Sequence, residues 1–80
     1  MAKIMLVDDA AFMRKMLGDV LSSYDHEVVG SVGDGSEALP KYQEVTPDLV
    51  FMDITMPKMD GVEAVKKIKE YDSEAKVVMC

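Results

Sequence analysis

Eighty residues, 49% apolar and 30% charged, suffice for one small folded domain and are too few for two. A single cysteine excludes an internal disulfide and a cysteine-rich zinc site, and it fits a reducing, cytoplasmic setting. The formal charge of −6 argues against nucleic acid, and no apolar run approaches the ~18–20 residues of a membrane span, so neither membrane insertion nor a secretory signal is expected.

Ile4-Met5-Leu6-Val7 is an unbroken apolar run, the mark of a strand buried on both faces. From Ala10 the period becomes helical. Met13, Met16, Leu17, Val20 and Leu21 fall on one side, and Arg14, Lys15 and Asp19 on the other. Gly18 inside this helix costs about 1 kcal/mol relative to alanine. Glu27–Val32 reads as a second strand, made less apolar by Gly30 and Ser31 and therefore placed at a sheet edge. Gly33-Asp34-Gly35 signals a turn, and Ala38, Leu39, Tyr42 and Val45 follow at helical spacing. Pro40 has no N–H to donate but is tolerated in a first turn, so this helix is expected to start late, near Pro40. Leu49-Val50-Phe51-Met52 is a third strand, again fully apolar, ended by Asp53. Asp60 and Glu63 have the spacing of a capping box for a third helix, with Val62, Val65 and Ile68 facing inward. Lys76–Cys80 opens a fourth strand.

Alternation of this kind predicts an α/β fold of right-handed βαβ units around a parallel sheet. With the two most apolar strands central and the second at an edge, the order is 2-1-3-4. Winding then reverses between strands 1 and 3, and ligands of open α/β sheets bind at such a point, outside the carboxyl ends of the strands. Asp8 and Asp9 follow strand 1 directly, and Asp53 follows strand 3. Three carboxylates so placed repel one another unless a cation or protons intervene. Oxygen-only donors suit a hard ion such as Mg²⁺ or Mn²⁺, which commonly also meets phosphate oxygens. Plainer roles are open to each residue alone. Asp9 has the position of a helix N-cap, and Asp8 that of a solvated loop residue. Asp53, abutting four apolar residues, carries a desolvation cost that a plain role does not explain. His26, the only histidine, falls in a surface turn. Lys58 reads as a solvated loop charge, and most of the eight methionines are expected in the core.

Val-Asp-Asp-Ala-Ala-Phe-Met-Arg (Val7–Arg14) and Met-Asp-Ile-Thr-Met-Pro-Lys-Met-Asp-Gly (Met52–Gly61) resemble the receiver domain of two-component response regulators. The first stretch is most similar to the single-domain chemotaxis members of that family, and Gly33–Leu39 matches the family's second loop and helix. The resemblance implies a flavodoxin-like fold with Asp53 as phosphoacceptor. It implies Asp9 as a direct Mg²⁺ ligand, Asp8 assisting largely through water, and Thr55 ligating through its backbone carbonyl. An aspartate nucleophile forms an acyl phosphate, and a cation neutralises charge on the transferring group. The implied role is an acceptor of phosphate, not an enzyme. A histidine kinase would be the donor, and a flagellar-motor or similar output protein the recipient of the signal.

By the same resemblance, residues 1–80 cover about the first two thirds of such a domain. The family's hydroxyl after strand 4, its lysine after strand 5, strand 5 itself and the last two helices have no counterpart among these residues. In the family the last helix covers the sheet face that helix 1 occupies. Alternate side chains of Leu49–Met52 and Val77–Cys80 are therefore expected to face water, and strand 4 to be an apolar edge. Such a surface favours a homodimer through strand 4 and the uncovered face. The alternative reading is a truncated or engineered half-domain that self-assembles with little or no switching. A flavodoxin-like binder of a nucleotide or flavin lacks a phosphate-cradling loop here.

Overall fold

The structure is a computed structural model that describes residues 1–53 and 61–79. Four short apolar segments pair as one parallel sheet: β1 (Lys3–Val7), β2 (Glu27–Val32), β3 (Leu49–Met52) and β4 (Val77–Met79). Their order is β2-β1-β3-β4, as the hydrophobic pattern predicts, with the two most apolar strands in the middle. Between them run α1 (Ala11–Ser23), a 3₁₀ turn at Gly35–Glu37 leading into α2 (Ala38–Val45), and α3 (Gly61–Tyr71). The fold is thus a flavodoxin-like parallel sheet with three helices.

Register follows from strand alternation. Met5 and Val7 of β1 and Val50 and Met52 of β3 share one face with Ala38 and Tyr42 of α2, Ala64 and Ile68 of α3, and Ala75. Ile4 and Leu6 therefore turn to the opposite face, which α1 occupies, and they too are buried. Beside β2 the ladder steps from Ile4↔Val28 to Met5↔Gly30, leaving Val29 as an extra residue on the edge strand. The stem of Lys41 lies over Gly30, where an added Cβ would come within 3.0 Å of its Cγ, and the Lys41 ammonium pairs with Glu44 at 3.2 Å. That long side chain covers the face of β2 at Gly30.

At the amino ends of the strands the backbone is tied by local pairs. The Ala2 N–H donates to His26 Nδ1 at 3.1 Å, and the Lys3 N–H donates to Asp48 Oδ2 at 2.8 Å. His26 thus fastens the start of β1, at the edge of the sheet opposite the three aspartates. Lys69 donates through its ammonium to the Ala75 carbonyl and fixes the passage from α3 to β4.

Pro40 is the third residue of α2, inside the first turn, where its missing N–H would have had no intrahelical partner. The late start is borne out. Three other expectations need correction. α1 fully buries none of its residues: Met13, Met16 and Val20 are exposed, and only Leu17 and Leu21 of its apolar stripe are half-buried. Helix period sets which side chains share a face, but the burial of that face depends on what lies against it. The methionines follow suit. Met5 and Met52 are buried, whereas Met1, Met13, Met16 and Met79 are exposed. On α3, Val62 is 53% exposed, because the buried stripe runs through Gly61, Ala64 and Ile68 at helical spacing and Val62 lies off it. The Asp60 cap, Lys58 and Cys80 lie outside the described residues. Among the described residues no helix is long and apolar enough to cross a membrane.

Candidate metal centre

β1 and β3 are parallel neighbours in register, with Val7 opposite Met52, so the next residue of each, Asp8 and Asp53, leaves the sheet at the same edge. Two backbone bonds hold these exits. The Asp53 N–H donates to the Val7 carbonyl at 2.8 Å, and the Asp8 N–H donates to the Val32 carbonyl at 3.1 Å. Asp8, Asp9 and Asp53 each contribute an oxygen to one cluster, all within 4.8 Å of one another. Asp8 and Asp53 are half-buried and Asp9 is exposed. The structure therefore brings together all three carboxylates that the sequence singles out. Thr55, expected to add a backbone carbonyl, lies outside the described residues.

The start of α1 decides between the plain and the chemical reading of Asp9. The N-cap is Ala10, in extended conformation and with no side-chain cap bond, so Asp9 does not cap the helix. Asp8 does the local work instead: its Oδ1 accepts the Ala10 N–H at 2.9 Å. This Asx-type turn occupies one Asp8 oxygen and leaves the Asp9 carboxylate outside the helix-capping bonds. The chemistry of the cluster is oxygen alone, which fits a hard divalent cation of the Mg²⁺ class better than a soft one. An ion of that kind supplies charge neutralisation and would be held by Asp9, Asp53 and Asp8.

One residue near the cluster escaped the sequence reading. Arg14 was expected on the solvent side of α1, but its guanidinium turns back and donates from Nη1 to the Asp8 carbonyl at 2.6 Å. A cation one turn into a helix that follows an acidic loop is a weak signal by itself, and only the folded geometry gives it a partner. Across the edge, Asp34 is engaged in structure: its Oδ1 accepts the Ser36 N–H at 2.8 Å and opens the 3₁₀ turn.

An open, parallel sheet with winding reversed between β1 and β3, and carboxylates gathered outside that point, defines a class of α/β proteins that bind charged ligands at the strand ends. Within that class the match is specific: residues 4–80 fit the family described as the response regulator receiver domain, and the chain belongs to that family. It is 53% identical to the chemotaxis protein CheY of Bacillus subtilis over 98% of this chain and 65% of that one. In structure it is similar to CheY in the CheX-CheY-BeF3-Mg complex from Borrelia burgdorferi, with a TM-score of 0.93 and 38% identity, covering 96% of this chain and 59% of that one. It is also similar to the response regulator domain of Thermotoga maritima CheB, with a TM-score of 0.86 and 42% identity, covering 96% of this chain and 57% of that one. The chain spans about two thirds of the length of the curated chemotaxis relatives it matches.

Proposed function

We propose that this chain is a phosphoacceptor of a two-component chemotaxis relay, taking a phosphoryl group onto Asp53. The observation that carries this reading is the cluster of Asp8, Asp9 and Asp53 at the end of two paired strands, with Asp9 not used as a helix cap. A carboxylate oxygen of Asp53 attacks phosphorus, a P–O bond forms, and the bond to the donor breaks, leaving an acyl phosphate on Asp53. With a histidine kinase as donor, the broken bond is P–N and the imidazole leaves. Bound Mg²⁺, or Mn²⁺ in its place, would offset negative charge on the transferring oxygens.

Asp9 is assigned as a direct ligand and Thr55 as a ligand through its carbonyl. Asp8 acts largely through water. A spread of up to 4.8 Å among the three oxygens compares with about 4.2 Å between opposite ligands of an octahedral Mg²⁺, which supports a bridging water at one of them. The output partner on this reading is a flagellar-motor or similar protein, and the site of action is the cytoplasm.

Incubation with a small acyl-phosphate donor and Mg²⁺, followed by intact-mass and peptide measurement, tests the assignment. One phosphoryl group on Asp53, lost in Asp53→Asn and strongly reduced in Asp9→Ala, is expected. Phosphate retained in Asp53→Asn would sink it.

A second reading concerns self-association. Val77 packs toward the α2–α3 core, so Val78 turns to the α1 face, where it is 42% exposed, and Phe51 beside it is only half-buried. Phe12, Met13, Met16 and Val20 of α1 are exposed as well. A second copy of the chain, set against this face and the apolar β4 edge, would cover these groups in a two-fold dimer.

A further inference from the structure

Arg14 takes no part in the chemistry proposed above, yet it touches the acidic loop and the neighbouring strand end at once. From the first turn of α1 its Nη1 donates to the Asp8 carbonyl. The same guanidinium fills the space beside Gly33, just beyond β2. A Cβ built on Gly33 would stand 2.9 Å from Nη1, 3.7 Å from Cζ and 3.9 Å from Nη2. Gly33 does not have positive φ, so the backbone does not call for glycine there. Space does. Any side chain at Gly33 displaces the guanidinium.

The Asp8 carbonyl belongs to the rigid peptide plane that joins Asp8 to Asp9. With the Asp8 N–H on the Val32 carbonyl and its Oδ1 on the Ala10 N–H, the Arg14 bond is, among the described residues, the one that fixes the rotation of that plane. The direction in which the Asp9 backbone leaves follows from it. We propose that Arg14 is a positioning residue, orienting the Asp8–Asp9 peptide so that both carboxylates are presented to the cation before it binds, and that Gly33 supplies the room this requires. The proposal rests on reading Asp8, Asp9 and Asp53 as the cation site.

Two effects of Arg14 oppose one another, which makes the outcome informative. Its permanent charge repels a second cation, so removing it would tighten Mg²⁺ binding if charge dominated. Its hydrogen bond preorganises the ligands, so removing it weakens binding if geometry dominates. The partly open site screens the first effect and leaves the second intact.

Mg²⁺ titration of the full chain, followed through the amide resonances of residues 7–11, tests this with Arg14→Ala, Gly33→Ala and the double variant. Arg14→Ala should weaken Mg²⁺ binding by about 10–100-fold, the range seen when groups that orient metal ligands are removed. Gly33→Ala should weaken it in the parent chain and change nothing further once Arg14 is gone. Because only folded signals are followed, a purely structural Arg14 would lower the melting temperature and leave the Mg²⁺ affinity unaltered. That result, tighter binding in Arg14→Ala, or additive effects of the two substitutions would overturn the proposal. Should Arg14→Ala not fold, Gly33→Ala alone, which crowds the guanidinium without deleting it, must still weaken binding. A parent chain that takes up no Mg²⁺ refutes the cation site itself, which separates that failure from a failure of Arg14.

Discussion

Tyr42 joins two helices by two different means. Its ring is buried between the sheet and α3 and meets Tyr71 edge-on at 6.3 Å, while its hydroxyl donates to Asp72 Oδ2 at 2.7 Å. Burial, then the Asp72 hydrogen bond and negative charge, push the phenol from its usual 10 up to about 12. The folded state thus favours the protonated phenol. That contribution is present in full below about pH 10 and is lost as pH rises through about 12. Tyr42→Phe is expected to cost about 1–2 kcal/mol at neutral pH, the range for a hydrogen bond to a charged, partly solvated acceptor. Thermal unfolding between pH 9 and 12 checks the sign: the parent should lose stability faster than Tyr42→Phe, so the two curves converge. Parallel curves would remove the phenol from the account. Helical spacing places the Tyr42 ring in the core, but an acceptor 30 residues away cannot be read from the sequence.

Among the elements, the strands and the start of α2 are legible because their signals are local: unbroken apolar runs, turn glycines, and a proline that can stand only in a first turn. α1 is legible in existence and not in burial. Its interior also holds a removable weakness at Gly18. A Cβ there would meet Val28 Cγ2 at 3.9 Å, an ordinary contact, and the position has no positive φ. Gly18→Ala should therefore stabilise the chain by about 1 kcal/mol through helix propensity alone. Urea unfolding would show a higher midpoint with an unchanged slope. A neutral result would mean that α1 contributes little to the folded state, in keeping with its unburied residues, and a destabilising one would mean that Val28 does not accommodate the added Cβ.

At the scale of the whole molecule, the sheet is covered unequally. One face packs a closed core under α2 and α3, and the other carries α1 with Phe12 72% exposed and Val78 turned outward. If the open face pairs with a second copy, sedimentation under reducing conditions should show a dimer at micromolar concentration. Val78→Lys, which sets a charge on the apolar edge strand, should shift it to monomer. Each copy carries a formal charge of −6, so the association should strengthen as salt screens the repulsion. A stable monomer at all salt concentrations, with a cooperative melt, would show that the exposed face is tolerated without a partner.

The sequence alone determined the strand order and the three aspartates. Both depend on short-range patterns: buried runs name the central strands, and residues next to those runs leave the sheet at its carboxyl edge. It determined the family as well, through two stretches that each hold the acidic residues in fixed spacing. Only the tertiary structure decided what those residues are free to do. Ala10 rather than Asp9 became the N-cap, Asp8 was drawn into the helix start, Arg14 folded back onto the Asp8 carbonyl, and Gly33 proved to be a matter of space. The same is true of α1, whose apolar stripe is wider than the surface it meets. Period and propensity act within a few residues of the chain, whereas hydrogen-bond partners and burial are set by segments that meet only after the sheet has formed.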